Sequence, residues 1–179
     1  MFVLVSLVSV RAYAEDARWS PAVKGLRGRL IAEASERNGK PQVRLSLELE
    51  NVSDGIEPIA FWWGYLGDML VLGLEDESGK PAPQDHPGGN HIDRPPYALL
   101  IPMQSSIRVT FADGAYEYLP SGQVLLRPFA FVAWNFDKTQ VGKRYLRATI
   151  APIVPRGKQP KLWSGTLMLP RVQLPVFPS

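Results

Sequence analysis

The chain of 179 residues contains no cysteine, which excludes a disulfide framework, thiol catalysis and thiolate metal sites. Histidine is nearly as scarce, with His86 and His91 alone. No Gly-x-Ser-x-Gly, His-Glu-x-x-His or glycine-rich phosphate loop occurs, so the common signatures of hydrolases and nucleotide enzymes are missing. No apolar run is long enough to span a bilayer as a helix. Convincing amphipathic helical periodicity is also lacking. Acidic residues nearly vanish late in the chain: residues 121–179 carry 9 Lys/Arg against Asp137 alone, whereas residues 15–120 carry 10 against 16.

What is present is alternation. In Gln42-Val-Arg-Leu-Ser-Leu-Glu-Leu-Glu-Asn51-Val52, the residues Val43, Leu45, Leu47 and Leu49 alternate with Arg44, Ser46, Glu48 and Glu50. A period of two places one set on the buried face of a strand and the other in water. Ser106 to Phe111 repeats the pattern, with Ile107, Val109 and Phe111 inward. Further strands are expected over Leu26–Ala34, Pro58–Tyr65, Met69–Glu75, Val124–Leu126, Phe129–Phe136, Arg144–Ala151, Leu162–Leu169 and Val172–Val176. Asn38-Gly39 marks a tight turn, because both residues accept positive φ. Turn signals near every tenth residue, with 15 Gly and 17 Pro in all, predict an all-β antiparallel sandwich in one domain.

Phe2 to Val10 is apolar and Ala12-Tyr13-Ala14 is an A-x-A cleavage pattern before Glu15-Asp16. Residues 1–14 therefore read as a signal peptide and 15–179 as the β-sandwich domain, which predicts a periplasmic or secreted protein. No Lys or Arg precedes the run, and a first buried strand is its other reading. The late basic residues are interleaved with strand-like apolar positions. Cross-strand neutralisation by the early acids accounts for them, and a nucleic-acid partner is not expected.

Gly25-Leu-Arg-Gly-Arg-Leu30, a turn, an alternating strand and then Asn51-Val-Ser-Asp54 resemble the immunoglobulin-like sandwich modules of exported bacterial proteins. The pattern is similar to the BsuPI-type proteinase-inhibitor module over about residues 24–150. The resemblance implies an immunoglobulin-like β-sandwich and, as one activity to test, protease inhibition. It transfers no functional residue.

Three places offer binding chemistry. Residues 81–96 read as a long loop holding Asp85, His86, His91 and Asp93, a donor set suited to zinc or another divalent ion, or to a metal-dependent hydrolase. Loops of this length are often functional. In Phe61-Trp62-Trp63-Gly64-Tyr65, strand parity turns Trp62 away from its aromatic neighbours, where it could stack on a sugar or anchor a partner. A buried Trp62, covered by the chain's own segments, is the other reading. Lastly, Met69 to Leu74 and Phe129 to Phe136, the latter with Trp134, are apolar on both faces. Either the long loop over 81–102 folds over their outer face, with Tyr97 to Ile101 as an apolar lid, or another protein covers it. Trp62, Tyr97 and Trp134 are thus the candidate partner- or ligand-binding residues. The expected function is non-catalytic binding to another protein at the cell envelope, with a carbohydrate-binding module as the alternative. The sequence leaves oligomeric state open.

Overall fold

The computed structural model describes residues 18–55, 58–63, 69–85, 97–114, 116–129, 132–151 and 162–176, with only the backbone of Trp62, Trp63, Tyr97 and Ala98. The expected signal peptide lies outside these residues. The chain is all-β, built from several antiparallel sheets. Its strands are β1 (Leu26–Arg37), β2 (Lys40–Asn51), β3 (Ile59–Trp63), β4 (Leu70–Asp76), β5 (Tyr97–Ile101) and β6 (Ser106–Asp113). They continue with β7 (Tyr116–Tyr118), β8 (Gln123–Phe129), β9 (Val132–Asp137), β10 (Arg144–Ile150) and β11 (Leu167–Gln173). Among the described residues, no helix is long and apolar enough to cross a membrane.

The strongest sequence pattern makes the sheet β1-β2-β6. Asn38 and Gly39 take φ of 53° and 71° and close the two-residue β1–β2 hairpin, as a turn with two left-handed residues requires. The resulting register sets Leu47 opposite Leu30 and Leu45 opposite Ala32, and all four are buried. The other face carries oppositely charged rungs: Arg27 to Glu50 at 2.7 Å, Arg29 to Glu48 at 2.8 Å and Arg108 to Glu33 at 2.6 Å. Trp19 lies over both Arg27 and Arg29, its ring 4.8 and 4.6 Å from their guanidinium carbons. The polar face is therefore a ladder of paired charges, each pair worth a few tenths of a kcal/mol to about 1 kcal/mol.

The second three-stranded sheet has the order β11-β10-β4. Leu70, Leu72 and Leu74 pair with Ile150, Ala148 and Leu146, and Leu167 and Leu169 continue the buried side. The sheets β1-β2-β6 and β11-β10-β4 meet at Gly28, where an added Cβ would lie 3.1 Å from both Leu169 and Leu49. The absence of a side chain there lets the leucine layers close. The remaining pairs are β3-β5 and β7-β8-β9, and the buried faces of every sheet contribute to one hydrophobic cluster.

Asn51 is the hub at the end of β2. Its amide Nδ2 donates to the Ile101 carbonyl at 2.9 Å, and its Oδ1 accepts from the Ser53 N–H and hydroxyl at 3.0 and 2.6 Å. Its backbone pairs with Ser105 and Gln104, while Val52 donates to the Gly25 carbonyl. The polar run Asn51 to Asp54, one element of the family resemblance, is thus a structural clamp joining β2, β5 and the entrance to β1.

Three expectations are corrected. Residues 129–136 are not one strand: Phe129 ends β8, Val132 begins β9, and the two are paired. The apparent two-faced hydrophobicity came from joining two strands of opposite direction. Leu162 to Leu169 is likewise not continuous, because Leu162 makes an isolated parallel bridge to Ala60 and β11 starts at Leu167. Tyr97 to Ile101 is not a lid over Met69 to Leu74. It is β5, hydrogen-bonded to β3, with Leu100 exposed.

Candidate interaction face

The outer face of β4-β10-β11 combines exposed apolar and charged groups. Alternation along β4 points Leu70, Leu72 and Leu74 inward, leaving Val71, Gly73 and Glu75 on the other side. The register places Val71 opposite Thr149 and Thr149 opposite Met168. Val71 is 64% exposed and Met168 is 73% exposed. Adjacent strands lie about 4.8 Å apart, so the two apolar side chains flank Thr149 about 10 Å from each other.

A charged cluster follows on the same face. The register between β10 and β11 shifts between Leu146 and Ala148, so Pro170 and Arg171 together oppose Arg147. Proline fits there because β11 is an edge strand and a bulge leaves one residue without a ladder bond. Arg171 then reaches across β10: its Nη1 lies 3.3 Å from Glu75 Oε1 and donates to the Glu77 carbonyl at 3.4 Å. Arg147 Nε lies 3.7 Å from the other Glu75 oxygen. The Arg171 guanidinium stacks 4.4 Å from the Tyr145 ring. Gly73 makes room for Arg147, whose Nε would be 3.2 Å from a Cβ at that position. The Glu75 side chain is only 9% exposed, whereas those of Arg147 and Arg171 are 58% and 44% exposed.

Beyond the end of this face lies a cavity of about 280 Å³ lined by Asp76, Glu77, Ser78, Gln140, Lys143 and Arg144. Its polar groups serve mainly to shape the chain. Asp76 Oδ1 accepts from the Ser78 hydroxyl and N–H and from the Lys80 N–H, at 2.6, 2.9 and 3.0 Å. These bonds, the Ser78 hydroxyl foremost, hold the Asp76 carboxyl below its ordinary value of 3.8. Arg144 Nη2 donates to the Gln140 side-chain amide oxygen Oε1 at 2.6 Å. Asp137 caps the 3₁₀ helix over Lys138–Lys143 in the same manner, accepting from the Thr139 hydroxyl and N–H, and its carboxyl is also lowered. Tyr116 is raised well above its usual value, first by burial and then by Tyr118, so it offers no phenolate near neutral pH.

Of the residues singled out from sequence, Trp134 requires a correction. It is 1% exposed, pairs with Leu126 and belongs to the core, so it presents no binding surface. Trp62 sits opposite Ala98 and Tyr97 opposite Trp63 in the β3-β5 ladder. His86, His91 and Asp93 lie outside the described residues. Asp85 is exposed, but its backbone is fixed: it exchanges hydrogen bonds with Ala133 of β9 at 2.8 and 3.2 Å. Pro81 bridges Glu75 and Ala82 donates to the Leu74 carbonyl, so residues 81–85 of the expected loop run from β4 to β9 on a defined path. No group of three or more potential metal ligands occurs among the described residues.

The late basic residues are neutralised by early acids at one place only among the described ion pairs, Glu75 with Arg147 and Arg171. The other pairs join residues within 27–113. Sequence reasoning missed this cluster. The alternation Tyr145, Arg147, Thr149 gave the outward parity, but nothing in it named Glu75 as the shared partner. Comparison with protein-family models, with curated proteins and with solved structures returned no match.

Proposed function

We propose that this chain is an exported, non-catalytic binding module with an immunoglobulin-like sandwich architecture over residues 15–179. It contacts another protein at the cell envelope through the outer face of β4-β10-β11. The observation that carries the reading is the exposure of Val71 and Met168 on either side of Thr149, on a face that no described strand covers. Exposed apolar side chains standing singly are ordinary, but two on one cross-strand row beside a cluster of arginines form the composition typical of interfaces. Export is supported by the apolar run and A-x-A pattern at the N-terminus.

Photo-crosslinking side chains placed at 71 and 168, with one at Lys40 in the β1–β2 turn as control, test this in cells. Discrete adducts at 71 and 168 and none at 40 are expected. Equal labelling at all three positions, or none at 71 and 168, would contradict it.

A further inference from the structure

We infer that the outer face of β4-β10-β11 takes an acidic, partly apolar polypeptide segment in which a carboxylate and an apolar side chain point the same way about 7 Å apart; this rests on reading that face as the interaction surface.

Arg147 and Arg171 share the single carboxylate of Glu75, so the cluster carries one positive charge in excess. Glu77 offers Arg171 its backbone carbonyl, and its own carboxylate forms no ion pair among the described residues. No other acid can come from β10 or β11, since Asp137 is the last acidic residue in the chain. Both guanidiniums remain about half exposed, yet both are held. Arg171 is stacked on Tyr145, and Arg147 lies over Gly73. Fixed, half-exposed guanidiniums lose little rotamer freedom on meeting a second carboxylate, and their planar donors suit it.

The apolar row Val71–Thr149–Met168 lies two residues along the strands from the level of Gly73 and Arg147. At about 3.4 Å per residue that separation is about 7 Å. An extended partner matches it with side chains at positions i and i+2, the apolar one against Val71 and Met168 and the acidic one against the arginines. The opposite arrangement, a basic partner, would set like charges against each other at the centre of the contact.

A synthetic peptide with leucine and glutamate alternating at every second position, and serine between them, provides the probe. Amide chemical-shift changes on titration should be confined to β4, β10 and β11. Affinity should fall about tenfold when glutamine replaces the glutamates, or in Arg147→Gln/Arg171→Gln, and should fall as salt rises. Removing both arginines leaves Glu75 unpaired, so Glu75→Gln is the second variant. It frees the guanidiniums without removing them and should tighten the peptide.

Shift changes elsewhere, or affinity unaffected by Glu75→Gln, would overturn the inference. So would binding to phosphatidylglycerol vesicles without binding to the peptide, which would make the partner a membrane surface. Crosslinking at 71 and 168 that persists while the peptide does not bind refutes the acidic partner and leaves the interaction face standing. Loss of both removes the face as well.

Discussion

Replacing Asn51 with alanine tests the clamp at the end of β2. The side chain is fully buried and makes three hydrogen bonds, one to the Ile101 carbonyl and two from Ser53. Its removal strands a buried acceptor, which costs about 1–3 kcal/mol. Ser53 is only partly buried, so water can recover part of what its N–H and hydroxyl lose. The total expected is about 3 kcal/mol. For a chain of this size that corresponds to a melting temperature lower by about 6–12 °C. Ser53→Ala is the graded control, because it removes only the hydroxyl bond while the Ser53 N–H keeps its acceptor, and about 1 kcal/mol is expected. Urea denaturation followed by tryptophan fluorescence measures both. If Asn51→Ala costs no more than Ser53→Ala, the clamp is dispensable and the account of how β2, β5 and β1 are joined is wrong.

Three further outcomes follow from the geometry. Gly25 adopts φ of +78°, and a Cβ there would meet Ser53 Cβ at 2.7 Å, so Gly25→Ala should destabilise by about 2–3 kcal/mol in the same assay; a neutral result contradicts the close approach. Trp163 Nε1 donates to the Val23 carbonyl at 3.0 Å, so Trp163→Phe should cost about 1 kcal/mol, and no loss would show that bond to be unimportant. The carboxyls of Asp76 and Asp137 are lowered in the folded chain, so their contribution is present above about pH 4 and is lost as pH falls through their folded values. Asp76→Asn/Asp137→Asn should therefore flatten the loss of stability in acid, and an unchanged slope would refute these caps.

The parts of the fold legible in the sequence are those governed by local periodicity. The set Val43, Leu45, Leu47 and Leu49 was assigned inward and is buried, and Asn38-Gly39 forms the hairpin turn. What failed was connection. Phe129 to Phe136 holds apolar residues at both parities because the chain reverses inside it, and composition alone does not mark a reversal between two apolar strands. Tyr97 to Ile101 resembled a lid because apolarity does not say whether a segment packs by side chains or by backbone bonds. For the candidate face, Met69 to Leu74 is apolar at both parities, so the outward side of Val71 was not readable, and its row with Thr149 and Met168 depends on pairing between distant segments. The same is true of Glu75, which looks like an ordinary surface acid until β11 brings Arg171 across the sheet.

The pairing of β4 with β10 has a consequence for how the molecule is made. β4 has no neighbouring strand in its sheet until the final third of the chain has been synthesised, and β11 waits on the same event. The β1–β2 hairpin can form early, but the backbone of β4 has no strand partner in its sheet until β10 arrives. Maturation is therefore expected to be slow and late, governed by closure of long loops. A nascent chain of this design stays pliable until its last strands are added, and only then acquires its finished surface.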